Sequence, residues 1–174
     1  IRGNTRCTVI TPCLLRVENQ KNGNFCDEPT QSVWFRDFCD TSFEVKEANA
    51  LIEIKTESTT FTYSLRANKM KSITLNDGRI NYNFKSGNLK GTCRTLDITA
   101  GIIKLNDGVC SKDGVAILDD SETLVLKEDG TILPRDNKEK DEYYFAYGND
   151  YIGATTDLYK LTGKVPLIPR YALS

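Results

Sequence analysis

The chain contains no histidine, and this absence removes much of the familiar reaction chemistry. Ser-His-Asp and Cys-His relays have no base, and histidine-built metal sites have no ligands. Carboxylates, cysteines and tyrosines remain. Asp119, Asp120 and Glu122 form an acidic cluster. Calcium asks for more oxygen ligands at set loop positions, and glycoside hydrolysis asks for two carboxylates facing each other across a cleft. Adjacency in sequence supplies neither, so the cluster reads as a solvated turn. No catalytic residue, metal or cofactor is assigned, and the expectation is a non-enzymatic protein that acts by binding.

Six cysteines, Cys7, Cys13, Cys26, Cys39, Cys93 and Cys110, contain no Cys-x-x-Cys pair. Zinc sites usually need that close spacing or histidine. Three disulfides in an oxidising compartment are expected instead, which makes the protein secreted. Six cysteines admit many connectivities. Cys93 with Cys110 is the preferred pair, since both lie around a likely strand pair, and closing that loop would stabilise the fold by about 3 kcal/mol.

The run Tyr143–Tyr151 concentrates aromatic residues. In a strand Tyr143, Phe145 and Tyr147 point one way and Tyr144 the other. One face is expected to be core, and Tyr144 and Tyr151 are the candidate partner-binding residues, because tyrosine combines large contact area with a polar tip.

A net charge of −1 gives no field favouring nucleic acid or an anionic membrane. No run of about 18 apolar residues could span a bilayer. The start at Ile1, without methionine or an apolar targeting segment, reads as a mature, processed product. A monomer is expected.

These groups need elements to hold them. Cys26–Cys39 carries the single tryptophan, Trp34, with Phe35 and Phe38. Asp27 or Glu28 could cap a helix with Pro29 in its first turn, and apolar residues then fall on one side. A short helix over Glu28–Cys39 is expected, anchoring the first core. Around it the pattern is β: Thr8–Thr11, Leu14–Val17, and alternation through Phe43, Val45, Leu51–Ile54 and Phe61–Leu65. Asp77-Gly78, Asp107-Gly108 and Asp129-Gly130 read as hairpin turns, and Lys85–Asn88 as a fourth turn. Their unequal spacing argues against a repeat architecture.

All six cysteines precede Ser111, and charge shifts at the same point. Residues 1–110 hold 15 Lys/Arg and 12 Asp/Glu, whereas residues 111–174 hold 8 and 12. The fold class expected is mainly β with one short helix, in two small domains linked near Ser111–Gly114. Residues 1–112 would form a disulfide-stapled α+β domain and 113–174 a cysteine-free β-sandwich or barrel. Strands are expected at Val115–Leu118, Thr123–Lys127, Thr131–Leu133, Tyr143–Tyr147, Leu158–Leu161 and Val165–Ile168, with Asp136–Glu142 an exposed loop. A unit of about 60 residues is marginal alone, so the second part should pack on the first.

Secreted β families differ in their fit. A lipocalin would carry Gly-x-Trp, but Trp34 follows Ser32-Val33. A trefoil-type protease inhibitor would need three even repeats. A carbohydrate-binding module would use exposed aromatics such as Tyr144 or Tyr151. In cysteine placement, size and order, the whole chain resembles the dual-domain effectors that Fusarium plant pathogens secrete into host xylem, several of which are avirulence proteins. The resemblance implies a cysteine-stapled first domain with a helix, a β-sandwich second domain and a virulence role in the plant apoplast or xylem or, on entry, inside host cells. Its partners would be a host protein or immune receptor. The alternatives are a secreted carbohydrate-binding module or protease inhibitor.

Overall fold

The computed structural model describes residues 1–38, 40–81, 87–91, 100–135, 140–164 and 169–173. Within them the strands are β1 (Thr5–Thr11), β2 (Leu14–Asn19), β3 (Glu44–Ala48), β4 (Leu51–Lys55), β5 (Thr59–Ser64), β6 (Lys69–Leu75), β7 (Ile80–Asn81), β8 (Ala116–Asp119), β9 (Val125–Leu126), β10 (Ile132–Leu133) and β11 (Lys140–Phe145). One α-helix, α1 (Tyr151–Thr162), and a short 3-10 turn at Arg170–Leu173 follow. The protein is mainly β with one helix. That helix is neither long nor apolar enough to cross a membrane.

β3 to β7 form a five-stranded antiparallel meander in chain order. Its period-two sequence is the cause. In β5, Thr59, Phe61 and Tyr63 are buried while Thr60, Thr62 and Ser64 are half-buried. The β6–β7 turn places Gly78 at φ 81°, a conformation that glycine adopts without a Cβ penalty. At the β3–β4 turn, Asn49 and Ala50 take φ values of 52° and 59°, the primed geometry that matches strand twist.

The second sheet has the order β1-β2-β11-β8. One face packs on the meander: Leu15, Val17 and Tyr144 meet Ile52, Ile54, Phe61, Tyr63 and Ile73 in a shared core. Full burial of each such side chain stabilises the fold by about 1.5–3 kcal/mol. The other face is also covered. Ile10, Leu14, Tyr143 and Phe145 pack there against Val33, Ala154 and Leu161.

The expected boundary after residue 112 falls between β7 and β8, and strands from both sides of it hydrogen-bond within this sheet. Gly114, in the expected link, is buried; its N–H donates to Ser111, and its carbonyl accepts from Gly148 N–H at 2.9 Å.

The helix expected over 28–39 does not form in the described residues 28–38. Their backbone groups are used by tertiary partners. Gln31 N–H donates to Leu124 O, Leu126 N–H donates to Pro29 O, and the N–H groups of Trp34 and Phe35 both donate to Leu161 O. Leu161 lies in the last turn of α1, whose carbonyls lack partners within the helix. The segment therefore caps a helix instead of being one. Val33 is the buried anchor, whereas Trp34 and Phe35 are 48% and 54% exposed.

The helix lies instead where a strand was expected at Leu158–Leu161. Asp150 caps its start by accepting from Gly153 N–H at 2.9 Å, and Gly163 follows its end at φ 82°. Ala154, Asp157 and Leu161 share its buried face. The strand expected at Val165–Ile168 lies outside the described residues, as does much of the Lys85–Asn88 turn. Of the Asp136–Glu142 loop, residues 140–142 belong to β11, and Asp141 is fully buried.

Candidate binding cleft

An open cleft of about 1040 Å³ lies where the two sheets and α1 converge. One wall is the end of β1 and its turn, Ile10–Pro12. The β4–β5 turn, Lys55–Glu57, adjoins it. Phe35, Phe38 and the approach to β3, Asp40–Glu44, form the rim, and Lys160 of α1 reaches in from the side. Thr56 Oγ1 donates to Pro12 O at 2.6 Å, joining the two turns. Phe35 and Phe43 are more than half exposed. Asp37, Asp40, Glu44 and Glu57 are exposed and have no ion pair among the described residues. Lys160 is held by Asp157 at 2.6 Å and lies 5.9 Å from the Phe38 ring centre.

The rim segment is tied down by a buried charge network on the outer face of the β1-β2-β11-β8 sheet. Arg16 Nε and Nη2 donate to the two Asp141 oxygens at 2.8 and 2.7 Å. Arg135 Nη2 donates to Asp141 at 2.8 Å and to Asp120 at 3.0 Å. Asp120 also accepts from Thr30 Oγ1 at 2.8 Å and from Thr123. Arg36 Nε donates to the Tyr143 hydroxyl at 2.8 Å, and its Nη1 to Glu28 O at 2.7 Å. Arg16 Nη2 and Arg6 Nη2 both reach Cys26 O. Residues 26–36 are thus bound to strands that are distant in sequence, and Phe35 and Phe38 extend from a fixed base.

The two shared carboxylates respond differently. Burial opposes ionisation of both, but for Asp141 the hydrogen bonds and charges of Arg16 and Arg135 prevail and hold its carboxyl below the usual range. For Asp120 burial prevails over the bonds from Thr123 and Thr30, and the neighbouring Asp141 charge adds to it, so its carboxyl is raised.

The acidic cluster is therefore not one solvated turn. Asp119 and Glu122 are exposed, but Asp120 turns inward as part of this framework. Reading Asp120 as surface failed because its partners Thr30 and Arg135 are not its sequence neighbours.

Tyr144 is 3% exposed and packs in the core between the sheets, with its hydroxyl donating to Glu142 at 2.6 Å. It is not a surface residue as it stands: the meander covers the face that was expected to be free. Tyr151 is 38% exposed at the start of α1, beside Ile152 and one helix face with Tyr159, and it does not line the cleft. The phenylalanines and carboxylates of the cleft went unassigned in sequence because a helix was expected to bury Phe35 and Phe38.

Cys7, Cys13, Cys26 and Cys110 are half-buried, and none is joined to another. Cys39 and Cys93, and with Cys93 the preferred Cys93–Cys110 pair, lie outside the described residues. Burial pushes the Cys7 thiol up to about 11. Among the described residues no three Cys, Asp or Glu side chains group as a metal site.

No protein-family model matches the chain, and no curated protein matches it. Among solved structures it is similar to part of a Flavobacterium johnsoniae GH31 dextranase, in a mutant form complexed with isomaltotriose and in a complex with glucose. In both the TM-score is 0.49 and the identity 18%, covering 99% of this chain and 27% of that chain. The chain thus spans about a quarter of the dextranase's length, and a likeness of this degree carries no functional assignment.

Proposed function

We propose that the protein is a secreted virulence effector that acts by binding a host protein, with the cleft as its recognition surface. The observation that carries the binding reading is a cleft in which exposed Phe43 and Phe35, the latter on a segment fixed by buried ion pairs, stand beside carboxylates that have no ion pair among the described residues. Large apolar anchors on a rigid base are what a binding surface needs, because little ordering accompanies docking. The secreted, plant-directed part of the proposal is supported by the six cysteines and by the resemblance in cysteine order to xylem effectors. Full oxidation into three disulfides belongs to the same proposal. Cys39 and Cys93 can engage at most two of the other four cysteines, so it requires at least one bond within the set Cys7, Cys13, Cys26 and Cys110.

The test is delivery of wild type and of a Phe35→Ser, Phe43→Ser double variant into leaves of responsive and unresponsive plants. Both positions are exposed, so the double variant should keep its melting temperature and lose the host response. Tyr151→Ala, on the α1 surface, should retain it. Loss of glycan or protease affinity in place of the host response would move the assignment to a carbohydrate-binding module or an inhibitor. A folded double variant with an intact host response would reject the cleft.

A further inference from the structure

We propose that β3 accepts an extended strand from the partner, and that this strand interleaves lysine or arginine with large apolar residues. The proposal rests on the binding reading above and adds the chemistry of what is bound. β3 is the outer strand of the meander. It pairs with β4 on one side, and on the other its alternate backbone N–H and C=O groups have no partner among the described residues. Such an edge is a template for one more strand. Of the other outer strands, β7 and β8 are short, at two and four residues, and β1 is partly occupied: Arg2 and Thr5 exchange backbone bonds at its start, and Thr41 Oγ1 donates to Ile10 O near its end.

Side chains around β3 give the edge a preference. Phe43 and Val45 lie two residues apart, hence on one side of the strand, and are 52% and 51% exposed. They offer an apolar shelf continuous with the cleft. Charged residues on an edge strand ordinarily deter pairing, and here they do so selectively. Glu47 is already bonded to Arg2 at 2.5 Å, and Lys46 stands opposite Glu53 on β4. Glu44 likewise stands opposite Lys55 on β4, whereas Asp37, Asp40 and Glu57 on the cleft side of this end have no ion pair among the described residues. The uncompensated charge at this end of the strand is negative. An acidic strand would be repelled, a second copy would bring the same carboxylates against themselves, and a basic strand would be drawn in.

The probe is a short fluorescein-labelled peptide of alternating lysine and leucine, titrated by fluorescence anisotropy. Two controls accompany it: the glutamate–leucine counterpart, and the lysine–leucine peptide N-methylated at alternate amides. Saturable binding of the first peptide alone is expected. Asp40→Lys with Glu57→Lys should weaken it about tenfold or more and flatten its salt dependence. Val45→Pro should weaken it comparably while keeping the wild-type circular dichroism spectrum and melting temperature, and Phe43→Ser, which trims the shelf but leaves the strand backbone unchanged, should weaken it as well. Equal binding of the acidic peptide, no effect of N-methylation, or displacement of the probe by a neutral oligosaccharide would overturn strand addition. Failure of every peptide alongside a host response lost in the Phe35→Ser, Phe43→Ser variant would reject this inference and leave the cleft standing.

Discussion

Replacing Asp141 with asparagine isolates the framework beneath the cleft. In the wild type this fully buried carboxylate accepts two bonds from Arg16 and one from Arg135. The neutral amide removes the charge that compensates Arg16, whose side chain is 3% exposed, and leaves Glu18, 3.1 Å from Nη2, as its nearest carboxylate. Breaking a buried ion pair from one side costs about 3–5 kcal/mol. The remaining Glu18 places the expected loss at the lower end, about 3 kcal/mol, which corresponds to a melting-temperature drop of roughly 6–12 °C for a chain of this size. Asp120→Asn should cost less, about 1 kcal/mol, because burial already raises that carboxyl and an amide preserves its acceptor. The pH dependence differs in sign. The Asp141 carboxyl is lowered on folding, so its contribution is present above the ordinary carboxylate value of about 3.9 and is lost as pH falls through the depressed native value. The Asp120 carboxyl is raised, so its contribution favours the acid side and is lost as pH rises through its native value. Equilibrium urea unfolding followed by far-UV circular dichroism measures both variants. An Asp141→Asn loss below about 1 kcal/mol, or a larger loss for Asp120→Asn, would refute the claim that this network fixes the rim.

Other consequences follow from the packing. Ala50→Gly should raise stability by about 1 kcal/mol in the same unfolding assay, because alanine is held at φ 59° in the β3–β4 turn. Tyr144→Ala should cost about 3–5 kcal/mol by opening a cavity between the sheets, in contrast to the small change expected of a surface tyrosine. Because strands on both sides of residue 112 share a sheet, circular dichroism and Trp34 fluorescence should report one coincident unfolding transition; two separated transitions would show independently stable halves. If the three proposed disulfides form, the native, unreduced protein should take up no alkylating label, and each label detected by intact mass would mark a free thiol.

Much of the strand layout was legible because period-two alternation through Leu51–Leu65 has one physical reading when a single face is buried. The β6–β7 and β9–β10 turns followed from Asp-Gly. Asp107-Gly108 did not behave alike: its glycine is instead packed against the Lys90 backbone. Helix placement failed at both ends of one contact. Residues 28–38 hold capping residues and an apolar side, but their backbone groups pair with Leu124 and Leu126 and with the end of α1. The true helix has its own signals, Asp150 at the start and Gly163 at the stop, but Leu158–Leu161 resembled a strand when read without them. Tyr144 misled for a different reason. Alternation identifies two faces, yet a sheet covered on both sides buries each of them. The cleft was hidden because it is assembled from residues 10–12, 35, 37–38, 40–44, 55–57 and 160, which only the packed sheets bring together.

The most direct test of recognition through the cleft is site-specific photo-crosslinking in host tissue. Photoreactive benzoylphenylalanine would be substituted at Phe43, or at Ile152, which is 81% exposed on α1 and does not line the cleft. The account predicts one discrete host-protein adduct from position 43, suppressed by excess unlabelled wild type but not by the Phe35→Ser, Phe43→Ser variant, and no such adduct from position 152. The same adduct from position 152 alone, or equal suppression by the double variant, would contradict it.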